Sequence, residues 1–232
     1  ADCARAHGVV GAGGGGYSLA DKLLARPYQT LIINAAQSEP LICKDWAALA
    51  QYGQCVLDGA KLLTDAFGLK KCFIAVREEF APQLPDLPAA ARKVGVIVAR
   101  LPDIYPLGYE KVLVREVLGI APDSPAAQTV LVVNAETLRN LAWAVLRESL
   151  RDHECEELAV KVMTGSHAQT EGELHELRLE LRDLLNRMLI EDINAQQKAL
   201  ILQAAQDPTA LERYRALEQR RNILQGIAPR SA

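Results

Sequence analysis

The chain has 232 residues, half of them hydrophobic, which suffices for one large domain or for one domain with an appendage, and for a real core. Its net charge of −3, with only three Phe and two Trp, gives neither an electrostatic nor a stacking case for nucleic acid. The five cysteines form no Cys-x-x-Cys pair and the four histidines no metal spacing, which argues against an iron–sulfur or zinc site built by this chain alone. No signal peptide and no apolar run of membrane-spanning length is visible, so a cytoplasmic protein in a reducing compartment is expected.

The first element is a glycine cluster, His7-Gly8-Val9-Val10-Gly11-Ala12-Gly13-Gly14-Gly15-Gly16-Tyr17, followed by a stretch suited to a helix, Ser18–Ala25. Glycines in such numbers let backbone N–H groups approach a ligand without side-chain clash, and a following helix start favours phosphate. A flexible linker would also be glycine-rich, but the strand-like and helix-like flanks argue against it. Gly11-x-Gly13-x-x-Gly16 matches the Rossmann fingerprint literally, yet the next strand, Leu31–Ile33, ends in Asn34 rather than in the acid that a ribose requires.

Further along, β-branched runs at Cys72–Val76, Val94–Ala99 and Val130–Val133 alternate with helical patterns at Asp45–Phe67, Tyr109–Leu118 and Ala135–Leu150. Pro82, Pro85 and Pro88 punctuate one loop, and Pro122 and Pro125 another. This alternation predicts an α/β fold, a largely parallel sheet with helices on both faces, over residues 1–150. After about Arg151 strand signals vanish. Leu174, Leu177, Leu181, Leu184, Met188 and Ile193 recur at helical spacing, and Asp207-Pro208 reads as the start of another helix carrying Leu211, Tyr214, Leu217 and Leu224. Residues 151–232 are therefore expected to be a helical appendage, a hairpin or small bundle, with the boundary within Arg151–Glu171 around Thr164-Gly165-Ser166.

Three segments share the character of strand ends carrying polar groups. They are Ile33-Asn34-Ala35-Ala36-Gln37-Ser38-Glu39-Pro40, Tyr105-Pro106-Leu107-Gly108-Tyr109-Glu110, and Val132-Val133-Asn134-Ala135-Glu136-Thr137-Leu138. Each can be explained alone by capping or a turn. Together with the glycine loop they point to one site at the carboxyl ends of the strands.

On these four motifs, in this order over residues 8–145, the chain resembles a known family: the NADH/FMN-binding domain of the complex I flavoprotein subunit and of the C subunit of Rnf-type electron-transport complexes. Proteins of cobalamin and proline reduction are related to it. The family's glycine loop, G-x-G-G-A-G-F-P-T-x-x-K, is matched by Gly11 to Lys22, and the other three segments match its I-N-A-x-E-x-E-P, Tyr-Pro-x-Gly-x-Glu and V-N-N-V-E-T-L motifs. The resemblance implies bound FMN with NADH as the substrate. Gly11 opens the loop, and Gly13, Gly14 and Gly16 would line the flavin and its phosphate, with Lys22 near the flavin. Asn34, Asn134 and Thr137 would hold FMN polar atoms. Tyr17 would stand beside the nicotinamide, and Glu39, Gly108 and Glu110 would line the NADH pocket. Gln37 and Tyr105 belong to the same cofactor-binding segments. Catalysis would be hydride transfer on the cofactor, with no metal and no separate catalytic side chain.

The chain departs from the family at Gly15, at Ser18-Leu19, at Gln37 in place of an acid and at Val133-Asn134-Ala135, which keeps only one of the family's two asparagines. It also carries no cysteine-rich ferredoxin-like module, so the implied electron acceptor is another protein. The alternatives are a degenerate, non-catalytic scaffold of the same fold, a Rossmann-type dehydrogenase, and an interaction protein that docks or self-associates through its tail. The tail has a faint similarity to the helicase-binding domain of bacterial primases at Glu173–Leu177 and Ala210–Leu217.

Overall fold

The computed structural model describes residues 1–37, 42–153, 155–164, 171–203 and 209–226. Its contacts divide the chain into two compact units, Ala1–Ser149 and Leu150–Ala232. The first unit runs α1 (Asp2–Ala6), α2 (Leu19–Leu24), β1 (Thr30–Ala35), α3 (Lys44–Phe67), β2 (Lys71–Arg77), α4 (Leu87–Lys93), β3 (Val96–Leu101), α5 (Glu110–Leu118), β4 (Val130–Asn134) and α6 (Ala135–Ser149).

The four strands form one wholly parallel sheet in the order β3-β2-β1-β4. Alternate residues feed opposite faces. Leu31, Ile33 and Ile74 pack with Val56 and Leu57 of α3 and Leu138 of α6, whereas Ile32 and Ala75 pack with Leu113 and Val114 of α5. Burial on both faces is why these strands read as unbroken apolar runs. The edge strand β3 is the exception, with Ile97 exposed.

Chain direction places the site. Crossovers between parallel strands are right-handed, so β1-α3-β2 and β2-α4-β3 step one way along the sheet with their helices on one face. The return from β3 to β4 passes to the other side of β1, and its helix α5 packs on the opposite face. The reversal opens a crevice between the carboxyl ends of β1 and β4, where Asn34 lies opposite Asn134.

Three local features differ from the sequence expectation. Val9-Val10 form no sheet strand. Val10 makes one isolated antiparallel bridge to Ser18, and Gly11 N–H donates to Tyr17 O at 2.8 Å. The glycine run is thus a closed loop standing before β1, not the strand–glycine–helix order of a Rossmann site. The proline-rich segment is not simply a loop, because Pro82 occupies the first turn of a 3-10 turn (Ala81–Gln83) and Pro88 the first turn of α4. Proline is tolerated there since its missing N–H has no intrahelical partner to lose. Helix α3 carries a kink at Tyr52 (φ −132°, ψ 30°).

The second unit contains α7 (Glu156–Thr164), α8 (Glu171–Gln203) and α9 (Ala210–Leu224). The last two pack together, burying Ile193 and Ala210 and joining Arg221 Nη1 to Asn194 Oδ1 (3.2 Å) and Gln197 Oε1 (3.0 Å). The expected apolar stripe is only partly used, since Leu181 is buried but Leu211 is exposed. Gly165-Ser166, the Asp207-Pro208 helix start and the side chains of Leu174 and Leu177 lie outside the described residues. Among the described residues no helix is long and apolar enough to cross a membrane.

Candidate functional site

The crevice at the β1/β4 reversal is a cavity of about 760 Å³, within the range of small-molecule sites. The glycine loop forms one wall. Its backbone is pinned to the start of α6, where Ala12 N–H donates to Thr137 Oγ1 at 2.9 Å. At Gly13 the loop passes so close to β4 that a Cβ would stand 3.2 Å from Asn134 Oδ1. Gly14 and Gly16 turn the chain at positive φ (91° and 57°), which a branched residue adopts only with strain.

The opposite wall comes from the β3–α5 connection. Asn34 Nδ2 donates to Gly108 O (2.9 Å), and its Oδ1 accepts from Ala36 N–H (3.1 Å). The buried Asn34 amide thus ties the end of β1 to the turn before α5. Lys22 of α2 reaches across to Glu110 at 3.1 Å, with both side chains partly exposed. Beside them, the Arg26 guanidinium lies 5.5 Å from the Tyr28 ring centroid, and Tyr28 Oη donates to Lys22 O at 2.8 Å.

Beneath the cavity lies a buried acid that sequence reasoning missed. Asp45, 1% exposed, accepts from Asn134 Nδ2 (3.0 Å), from Glu136 N–H at the start of α6 (3.1 Å), and from Lys44 Nζ (2.7 Å). The only sequence signal was an acid in the first turn of α3. Its partners lie 89 and 91 positions away and are brought in by the fold.

Of the residues singled out in the sequence, Gly11, Gly13, Gly16, Tyr17, Lys22, Asn34, Gly108, Glu110, Asn134 and Thr137 line this one cavity, with Gly15, Arg26, Tyr28 and Tyr109 in addition. Gly14, Gln37 and Tyr105 are not among its lining residues. Tyr105 is 78% exposed, and Gln37 is buried at φ 59° with its Nε2 unpartnered. Glu39 lies outside the described residues. Among the described residues no group of three or more His, Cys, Asp or Glu side chains could hold a metal ion.

The fold and cavity define a class: a cavity of small-molecule size at the switch point of a parallel α/β sheet, walled by a glycine loop. Residues 4–143 match the family described as the Nuo51 FMN-binding domain, and the chain belongs to that family. It is 34% identical over 151 residues to "Cobalamin reductase PduS" of Salmonella typhimurium, covering 61% of this chain and 32% of that protein. It is 29% identical over 147 residues to a subunit of the ion-translocating oxidoreductase complex of Vibrio cholerae, covering 61% of this chain and 19% of that one. The crystal structure of the NAD+-reducing [NiFe]-hydrogenase in the H2-reduced state contains a chain with TM-score 0.55 and 28% identity, over 62% of this chain and 30% of that one. The chain thus spans a third or less of the length of these relatives.

Proposed function

We propose that the α/β unit holds FMN in the β1/β4 cavity and admits NADH to it, as the electron-entry component of a larger assembly. The observation that carries this reading is the glycine loop fixed by Thr137 against β4, which gives a bare backbone wall beside a cavity of nucleotide size. The residues present fit the cofactor. A Cβ at Gly13 would crowd Asn134 Oδ1, so glycine is what lets the loop backbone approach the end of β4 at the cavity wall. Lys22 and Arg26 bring positive charge to the cavity for a phosphate. At the start of α6 the Asp45 carboxylate already takes the Glu136 N–H, so a phosphate there would meet a negative charge.

When bound, FMN supplies hydride acceptance from a nicotinamide and release of the electrons onward. This chain's residues bind and orient. Asn34 holds the β1 end and the Gly108 turn in register, and Thr137 fixes the loop. Glu110 pairs with Lys22 at the partly exposed rim of the cavity. Gly108, Glu110, Tyr109 and Tyr17 form the wall to which we assign the nicotinamide. The Vibrio relative is named as a subunit of an oxidoreductase complex, which supports a protein partner as the electron acceptor of this chain. Cys43, Cys55 and Cys72 are unpaired thiols, which suits a cytoplasmic setting.

The test is anaerobic stopped-flow mixing of the FMN-loaded chain with NADH. Bleaching of the flavin band is expected, and Glu110→Ala should slow it at least tenfold while changing FMN affinity less than threefold. Equal effects on both would reject the division of roles, and no bleaching of the wild-type flavin would favour a non-catalytic binding module.

A further inference from the structure

We infer that Asp45 is a positioning residue that fixes the amide of Asn134 with its oxygen toward the cavity, so that the site selects a ligand donating a hydrogen bond there. The inference deepens the flavin reading and rests on it. Asp45 sits behind the cavity wall and touches no lining space itself, yet its carboxylate decides what that wall presents.

The geometry leaves one arrangement. A carboxylate only accepts, and both of its oxygens are taken: Oδ1 by Glu136 N–H, Oδ2 by Lys44 Nζ and Asn134 Nδ2. Asn134 must therefore turn its NH2 group toward Asp45 and its Oδ1 away from it, and Oδ1 stands against Gly13 on the cavity wall. Among the described residues no protein donor reaches that oxygen. The cavity thus holds a preset acceptor, complementary to the imide N–H and ribityl hydroxyls of FMN. With the opposite amide orientation the same wall would offer a donor and would oppose the imide N–H, whereas the hydroxyls, which also accept, would tolerate it.

Asp45→Asn separates this role from simple helix capping, because asparagine also caps helices well. The single oxygen of the new amide cannot satisfy three donors. The backbone N–H of Glu136 keeps the oxygen and Lys44, a third exposed, swings toward Glu136, so the new NH2 faces Asn134, which turns its oxygen to it and its own NH2 to the cavity. The double exchange Asp45→Asn/Asn134→Asp restores the pattern, since one carboxylate oxygen at position 134 can accept from the amide at position 45 while the other faces Gly13. The net charge is unchanged.

The experiment is FMN titration of the full chain, followed by flavin fluorescence, in three forms. Asp45→Asn is expected to weaken FMN at least tenfold, and the double exchange to return within about threefold of wild type. An Asp45→Asn chain that binds like wild type, or a folded double exchange no better than the single variant, overturns the inference. A second readout needs no flavin. In the wild-type chain the Asn134 side-chain NH2 signals, assigned through their correlations to the Asn134 backbone, should be protected from solvent exchange, and that protection should vanish in Asp45→Asn. An unprotected Asn134 amide in the wild type overturns the inference even if no variant folds. A wild type that takes up no FMN but keeps the protected amide refutes the flavin reading and leaves the amide geometry supported.

Discussion

Among single residues, the cavity depends on what is missing as much as on what is present. Gly13 stands where any Cβ would press on Asn134 Oδ1. Gly13→Val is expected to lower FMN affinity at least tenfold, about 1.4 kcal/mol, with the far-ultraviolet circular dichroism retained. Unchanged titration in the folded variant would remove the loop from the site. Cys72 gives a prediction of a different kind. Burial in the core raises its thiol from 9.0 to about 12, and the hydrogen bond with Thr64 opposes this only partly. The unfolded chain loses this proton near pH 9 while the folded chain keeps it. The stability contributed is therefore complete below about pH 9 and is lost as the pH climbs toward 12. Cys72→Ala should flatten the stability profile over that window in alkaline denaturation series. Against a thiol reagent at pH 8, exposed Cys43 should react in the native state and Cys72 only on unfolding.

Among the elements, α3 and α6 are the pair that sets the floor of the site. They approach so closely that a Cβ on Gly59 would stand 2.3 Å from Leu138 O, a backbone atom that cannot swing away. Gly59→Ala should therefore destabilise the unit by about 3 kcal/mol, seen as a fall in Tm on the order of 10 °C. A fall of less than a degree would mean that the helices separate easily. The same pair marks the limit of what sequence reveals. The strands were legible because Leu31–Ile33 and Val130–Val133 are buried on both faces, and the loop motif was legible because its glycines are contiguous. Helix α4 was hidden by prolines, which punctuate loops and helix first turns alike. Asp45 was hidden because its meaning lies in Asn134 and Glu136, and no local pattern links them. Asn34 and Thr137 were legible as polar strand-end residues, but not the internal hydrogen bonds they make.

For the molecule as a whole, the family match covers residues 4–143, almost all of the first compact unit, and the helices of the second unit lie beyond it. A chain ending at Ser149 should therefore stay folded and keep the FMN affinity of the full chain within about threefold. An insoluble or flavin-free truncation would show that the helical unit completes the α/β core. Whether the β1/β4 cavity is a flavin site is decided by titrating the full chain with FMN and reading flavin absorbance and fluorescence. Saturable binding of one FMN per chain is expected, with a perturbed flavin spectrum that Gly13→Val abolishes or strongly weakens. A spectrum that stays that of free FMN at every protein concentration, from chain that is demonstrably folded, would rule the flavin site out.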